Sequence, residues 1–266
     1  MLLRELEGEQ CELEMVAGGC DKDCHRRRFK TKLIAMGMCG YDRVLIEPSG
    51  IFDMDEFFDA LHEEPLDRWY QIGNVIAVVD AGLDEKMSEE ADYILASEVA
   101  DAGCIVLSKT QEASEKYIEN TVKHLNRALE AVHCKRKFGE DEIIRKDWEQ
   151  FETEDFERIL NSGYIAEDYE KMSLDEKEVF KSLYFMDLEI SGEELRDAAQ
   201  KIMQDPACGS VFRIKGFTQE PDGNWTELNA THHEITQCPI AEGQKVIIVI
   251  GEQPNEEMIK KYFGTD

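Results

Sequence analysis

Short, nearly continuous apolar runs alternate with helical stretches along the first half of the chain. Val44-Leu45-Ile46, Asn74 to Asp80 and Cys104 to Leu107 are runs of the first kind, and Cys11 to Val16 adds a weaker run of period two. A strand that is apolar at successive positions is covered on both faces, which predicts a parallel sheet with helices on each side. Arg28 to Met38, Asp55 to Leu61, Ser88 to Ala100 and Glu112 to Val132 carry the intervening helical pattern. Strand–helix alternation of this kind builds a doubly wound α/β domain through right-handed crossovers.

From about Cys134 to Lys181 the chain turns charged, with scattered aromatics at Trp148, Phe151, Phe156, Tyr164 and Tyr169, and no strong strand is predicted there. Beyond it the order is strand (Leu183 to Ile190), helix (Glu193 to Met203), four strands (Ser210 to Phe217, Trp225 to Ala230, Glu234 to Cys238, Lys245 to Ile250) and a closing helix (Asn255 to Phe263). Asp222-Gly223 between two strands is a hairpin signal. The expected organisation is a parallel-sheet domain over 1–140, a helical linker over 141–181, and a small α+β domain with an antiparallel, ferredoxin-like sheet over 182–266.

Charge and cysteine usage then narrow the function classes. The formal net charge is −28, from 58 acidic against 30 basic residues, and such a surface has no footprint for a nucleic-acid backbone. Any phosphate bound here needs a metal ion or a local basic patch. Eight cysteines lie without small-scaffold spacing and no leader pattern opens the chain, so reduced thiols in the cytoplasm are expected. Cys39, Cys104, Cys134 and Cys208 read as buried or half-buried small hydrophobes. The longest apolar run, Val246 to Ile250, is too short to span a bilayer.

Three segments in order carry candidate chemistry. Glu47 leaves an apolar run into Pro48-Ser49-Gly50, which places a carboxylate and a bendable loop at the carboxyl edge of a sheet, where open α/β folds bind ligands. Ser108-Lys109-Thr110-Gln111 closes the next strand but one, and a lysine stem there can lie against a planar base. Cys20 and Cys24 have a spacing used by zinc ligands, with His25 as a third donor. Read singly, each also fits an ordinary role: a solvated strand exit, a polar loop before a helix, a pair of unliganded thiols. His232-His233 and Cys238 are a weaker metal candidate, because adjacent histidines on a strand face opposite ways. No Ser-His-Asp or Cys-His arrangement is recognisable.

Taken in order, Gly19-Cys20 with Cys24, Glu47-Pro48-Ser49-Gly50, Val78-Val79-Asp80-Ala81, Ser108-Lys109-Thr110-Gln111 and, near the end, Arg213-Ile214-Lys215-Gly216 resemble the CobW-type metallochaperone GTPases. The resemblance covers nearly the whole chain. It implies a P-loop NTPase-like domain that binds GTP and Mg2+, handles a transition metal such as Zn2+, and serves a metalloprotein client. It further implies that Glu47 holds magnesium or positions water, that Gly50, Ser108, Lys109 and Gln111 bind the nucleotide, and that Cys20, Cys24 and His25 hold the metal.

Three departures qualify these roles. The metal motif has two cysteines and a histidine in place of three thiolates. Gln111 stands where the family has an aspartate, so its amide offers one acceptor and one donor to a base that presents two donors. No Gly-x-x-x-x-Gly-Lys-Ser/Thr occurs anywhere in the sequence, and the resemblance starts after the place that loop would take, which suggests an internal start or a truncation. Hydrolysis by this chain is accordingly expected to be weak or absent, and the alternative is a non-catalytic metal-binding or partner-binding protein on the same scaffold.

Overall fold

The computed structural model describes residues 8, 11–14, 16, 22–48, 54–172, 180–220 and 222–264. Two compact units divide between Met172 and Ser173.

The first unit opens with three helices, α1 (Lys22–Cys39), α2 (Met54–Leu61) and α3 (Leu66–Trp69). They share a small core of Leu33, Leu61 and Leu66 backed by Phe29, Phe57 and Phe58. The Tyr70 hydroxyl, just past α3, donates to the Leu33 carbonyl at 2.7 Å and ties the end of the helical layer to its beginning.

A three-stranded sheet in the order β1 (Ile76–Asp80), β2 (Cys104–Ser108), β3 (Ile143–Ile144) follows, and both pairings are parallel. The crossovers are α4 (Glu89–Ala100) and α5 (Glu115–Ala131), and α6 (Thr153–Leu160) follows β3. Ser88 caps α4 by accepting the Ala91 amide at 3.0 Å, satisfying one of the helix's free N–H groups. Helix α5 turns Ile118, Thr121, Leu125, Ala128 and Leu129 inward, a stripe of helical period, and Leu125 and Leu129 are fully buried. Truncating either to alanine is the kind of core loss that costs about 2–5 kcal/mol.

Three sequence expectations change here. Val44-Leu45-Ile46 makes no ladder among the described residues, and Leu45 is 87% exposed. A strand exists only through its neighbours' hydrogen bonds, and an apolar run without an adjacent strand remains a loop. Strand β1 is likewise covered on one face only: Ala77 and Val79 are buried while Ile76 and Val78 are exposed, because it is the edge of the described sheet. Conversely, the charged stretch predicted to lack a strand contains β3, in register with Ile105 and Val106.

The second unit holds a five-stranded antiparallel sheet in the order β4 (Phe180–Met186), β8 (Val246–Glu252), β5 (Ser210–Gln219), β6 (Trp225–Thr231), β7 (Ile235–Ile240). Helix α7 (Gly192–Gln204) connects β4 to β5, and β8 lies between those two strands, antiparallel to both, so the connection is a split βαβ unit. Leu195, Ala198, Ala199 and Ile202 of α7 pack with Ile214, Leu228, Ile247 and Val249, and α8 (Glu256–Tyr262) adds Ile259 to the same core. Alternation along β5 splits the Arg213-Ile214-Lys215-Gly216 segment between the sheet's faces. Arg213 bonds Asn229 and Lys215 pairs with Glu227 at 2.8 Å across β6, while Gly216 faces the helix. A Cβ at Gly216 would sit 2.4 Å from Leu195 Cδ2, so glycine is what lets α7 approach this closely.

Candidate functional site

Strands β1 and β2 end side by side, with Asp80 opposite Ser108, and the residues that follow them form one polar edge. Lys109 takes a left-handed conformation, φ 56°, that turns its side chain back over the strand ends. Its ammonium reaches Asp80 Oδ2 at 2.7 Å, and Asp80 Oδ1 accepts the Gly82 amide at 2.8 Å. The Ala81 amide donates to the Ser108 carbonyl at 2.9 Å, and the Ser108 hydroxyl donates to the Val79 carbonyl at 3.3 Å. With side chains 40% and 33% exposed, the Lys109–Asp80 pair contributes about 1 kcal/mol or less to stability. That is comparable to the cost of an alanine-like residue in left-handed geometry, so the pair is a positioning device rather than a source of stability.

Three further features complete the edge. Thr110 Oγ1 is buried and has no hydrogen-bond partner, which leaves an unmet donor and acceptor beside the pair. Gln111 is exposed, its amide open to a ligand. The Glu112 amide closes a turn onto the Lys109 carbonyl at 3.0 Å. The edge therefore offers a carboxylate already neutralised by an ammonium, the exposed Gln111 amide and a fixed turn, with the unpartnered Thr110 hydroxyl buried beside them. It can hold a planar polar ligand by hydrogen bonds, and it contains no nucleophile–base pair for covalent chemistry.

Of the sequence candidates, Ser108, Lys109 and Gln111 come together here. Glu47 is exposed at the end of the unladdered segment 41–48. Gly50 and Cys20 lie outside the described residues, and so do the side chains of Cys24 and His25, whose backbone belongs to α1. Among the described residues no group of three His, Cys, Asp or Glu could hold a metal ion. Cys104, Cys134 and Cys208 are buried and burial pushes each thiol up, which keeps them inert, whereas Cys39 is exposed against expectation. It falls on the last residue of α1. Asp80 and Thr110 join the edge without being marked as site residues by the sequence. The available signal was register: two strands that end level place Asp80 beside whatever follows Ser108.

Solved structures with likeness to this chain include Zn(II)-bound YjiA GTPase from E. coli, at 19% identity over 93% of this chain and 77% of that one, with a TM-score of 0.35. A Zn(II)-bound triple mutant of YjiA GTPase matches at 18% identity with the same coverage and a TM-score of 0.36. No curated protein matches the chain. No helix among the described residues is long and apolar enough to cross a membrane. The nucleotide-binding domain of CobW/HypB/UreG matches residues 3–138, which takes in the whole Asp80–Lys109 edge, and the chain belongs to that family.

Proposed function

We propose that this chain binds a nucleotide at the carboxyl edge of β1 and β2 and couples it to the handling of a transition metal, zinc being the cargo that thiolate and imidazole donors suit best. The observation that carries the reading is the Asp80–Lys109 pair with Ser108 and the orphaned Thr110 hydroxyl at one strand edge, within the family's nucleotide-binding domain. Ser108, Lys109 and Gln111 face the base, Gly50 lines the phosphate side, Glu47 serves magnesium or the attacking water, and Cys20, Cys24 and His25 hold the metal. In this reading the domains run 1–140, 141–181 and 182–266, and the last, whose split βαβ unit supports a ferredoxin-like assignment, serves a metalloprotein client in the cytoplasm. Zn(II)-bound YjiA GTPase lends the metal and nucleotide classes as an analogy.

Chemistry limits what this site does. Phosphate loops hold the β- and γ-phosphates by backbone amides and a lysine, and the sequence contains no such motif, so binding is weak and turnover slow. At Gln111, guanine's two adjacent donors meet one acceptor and one donor, which removes most of the preference for that base.

Two measurements test the reading. In zinc titrations, Cys20→Ser with Cys24→Ser should abolish stoichiometric binding, and an unchanged stoichiometry removes these ligands. In nucleotide-dependent thermal shift, Gln111→Asp should raise the ratio of GDP to ADP affinity about tenfold or more, the size of one good hydrogen-bond correction. No stabilisation of either protein by any nucleotide refutes the base site. Robust magnesium-dependent GTP turnover by the 266-residue chain refutes the weak-hydrolysis assignment.

A further inference from the structure

The sign of the surface charge reverses along one side of α5. A groove of about 490 Å³ is lined by Lys123, Asn126, Arg127, Glu130, Lys137 and Phe138. In a chain with 58 acidic and 30 basic residues, a random patch is acidic; this one carries three cations against one carboxylate. The groove is a different place from the Asp80–Lys109 edge: α5 meets the residue that follows Asp80 at Thr121, and Arg127 lies six residues beyond it, about 9 Å along the helix axis.

The cations are held in place without being used up. Val132 and His133 turn the chain off the end of α5, and burial then alternates, with Cys134, Arg136 and Phe138 buried and Lys135 and Lys137 exposed, an alternation that aims Lys137 outward. Asn126 fixes that segment to the helix by a two-point clamp: its amide accepts the Phe138 N–H at 2.9 Å and donates to the Phe138 carbonyl at 3.5 Å. The Arg136 guanidinium stacks 4.3 Å from the Phe138 ring centroid and stiffens the floor. Lys137 has no ion-pair partner among the described residues, and Lys123 has only a loose one, Glu119 at 3.7 Å between exposed side chains. Arg127 spends one nitrogen on the Glu85 carbonyl at 3.0 Å, which orients the guanidinium and leaves other N–H donors free.

We infer that this groove is a binding site for a compact phosphate-bearing small molecule. An oriented arginine fork that shares a groove with two lysines, one unpaired and one only loosely paired, is a donor set that phosphate oxygens use well. Compactness follows from the surroundings: at ordinary ionic strength charges are felt over about 10 Å, and a longer polyanion would overlap the acidic surface on either side. Occupancy also draws on Arg127, whose bond to Glu85 holds the loop that follows Asp80.

Inorganic pyrophosphate, titrated calorimetrically with EDTA present and ionic strength held constant with sodium chloride, is the probe. The site requires saturable one-to-one binding that weakens at least tenfold in Arg127→Gln/Lys137→Gln and persists in Lys109→Ala. If the double variant does not fold, Lys137→Gln alone, at an exposed position, must weaken binding at least threefold. Binding that fails to saturate, that survives the groove variants, or that disappears only in Lys109→Ala overturns the inference. Equal binding of malonate overturns the phosphate assignment.

Discussion

Replacing Glu98 by glutamine should make the protein more stable at pH 8, by about 2–4 kcal/mol, and should flatten its stability between pH 5 and pH 8. Glu98 lies on α4 among buried Ile94, Leu95, Ser97, Val99 and Ala100, and no hydrogen bond or ion pair partners its carboxyl among the described residues. Burial alone pushes its pKa from 4.5 up to about 8. The folded state therefore keeps the proton over a range in which the unfolded chain has lost it. Below about pH 4.5 both states are protonated and the group contributes no pH dependence. Between there and about pH 8 the folded state binds more protons, so stability falls as pH rises, by at most about 1.4 kcal/mol per unit. Above that both states are ionised and the loss is complete. Glutamine fills the same volume without an ionisation to suppress, so its advantage should grow with pH. Urea unfolding of the two proteins at pH 5, 6.5 and 8 measures this directly, and parallel profiles would show that Glu98 is solvated or paired.

The parts of the fold visible in the sequence are those whose pattern is set by local covering. Strand β2 is covered on nearly every side and appears as an unbroken apolar run, and α5 appears as a stripe of helical period. What escaped depends on partners distant in sequence. Val44-Leu45-Ile46 has the composition of a strand, yet pairing is a property of two segments and no described strand lies beside it. Strand β3 is two isoleucines long, too short for any periodicity, and exists because β2 offers Ile105 and Val106 a neighbour. At the candidate site, Ser108, Lys109 and Gln111 were legible as a strand exit, whereas Asp80 and Thr110 became visible only with the register of β1 against β2. His124 carried no motif at all, because its two partners stand 32 and 40 residues away.

That histidine is the second position of large expected effect. His124 is buried on α5 with 2% of its surface exposed, and each ring nitrogen meets an oxygen: Nδ1 lies 2.7 Å from the Asp84 carbonyl and Nε2 lies 2.6 Å from Asp92 Oδ1 on α4. Each oxygen faces one ring nitrogen, so the imidazole binds a loop and a helix to α5 at one point, one turn from Thr121, whose hydroxyl donates to the Ala81 carbonyl at 2.8 Å. Together they hold the segment 81–84 that leaves β1 directly after Asp80. His124→Ala removes both contacts, strands the Asp92 carboxylate and opens a cavity, which should cost about 3–4 kcal/mol. Asp92→Asn keeps an oxygen facing the ring and the Asp84 contact, and should cost only about 1 kcal/mol. The two losses should fall short of adding in the double variant, since both act on the one ring–carboxylate contact. Additivity in denaturant unfolding would show that ring and carboxylate do not interact. Because the clamp positions Asp80, His124→Ala should also weaken any nucleotide-dependent thermal shift, and Gly82→Pro, which deletes the amide on Asp80 Oδ1, should do the same without touching the buried ring.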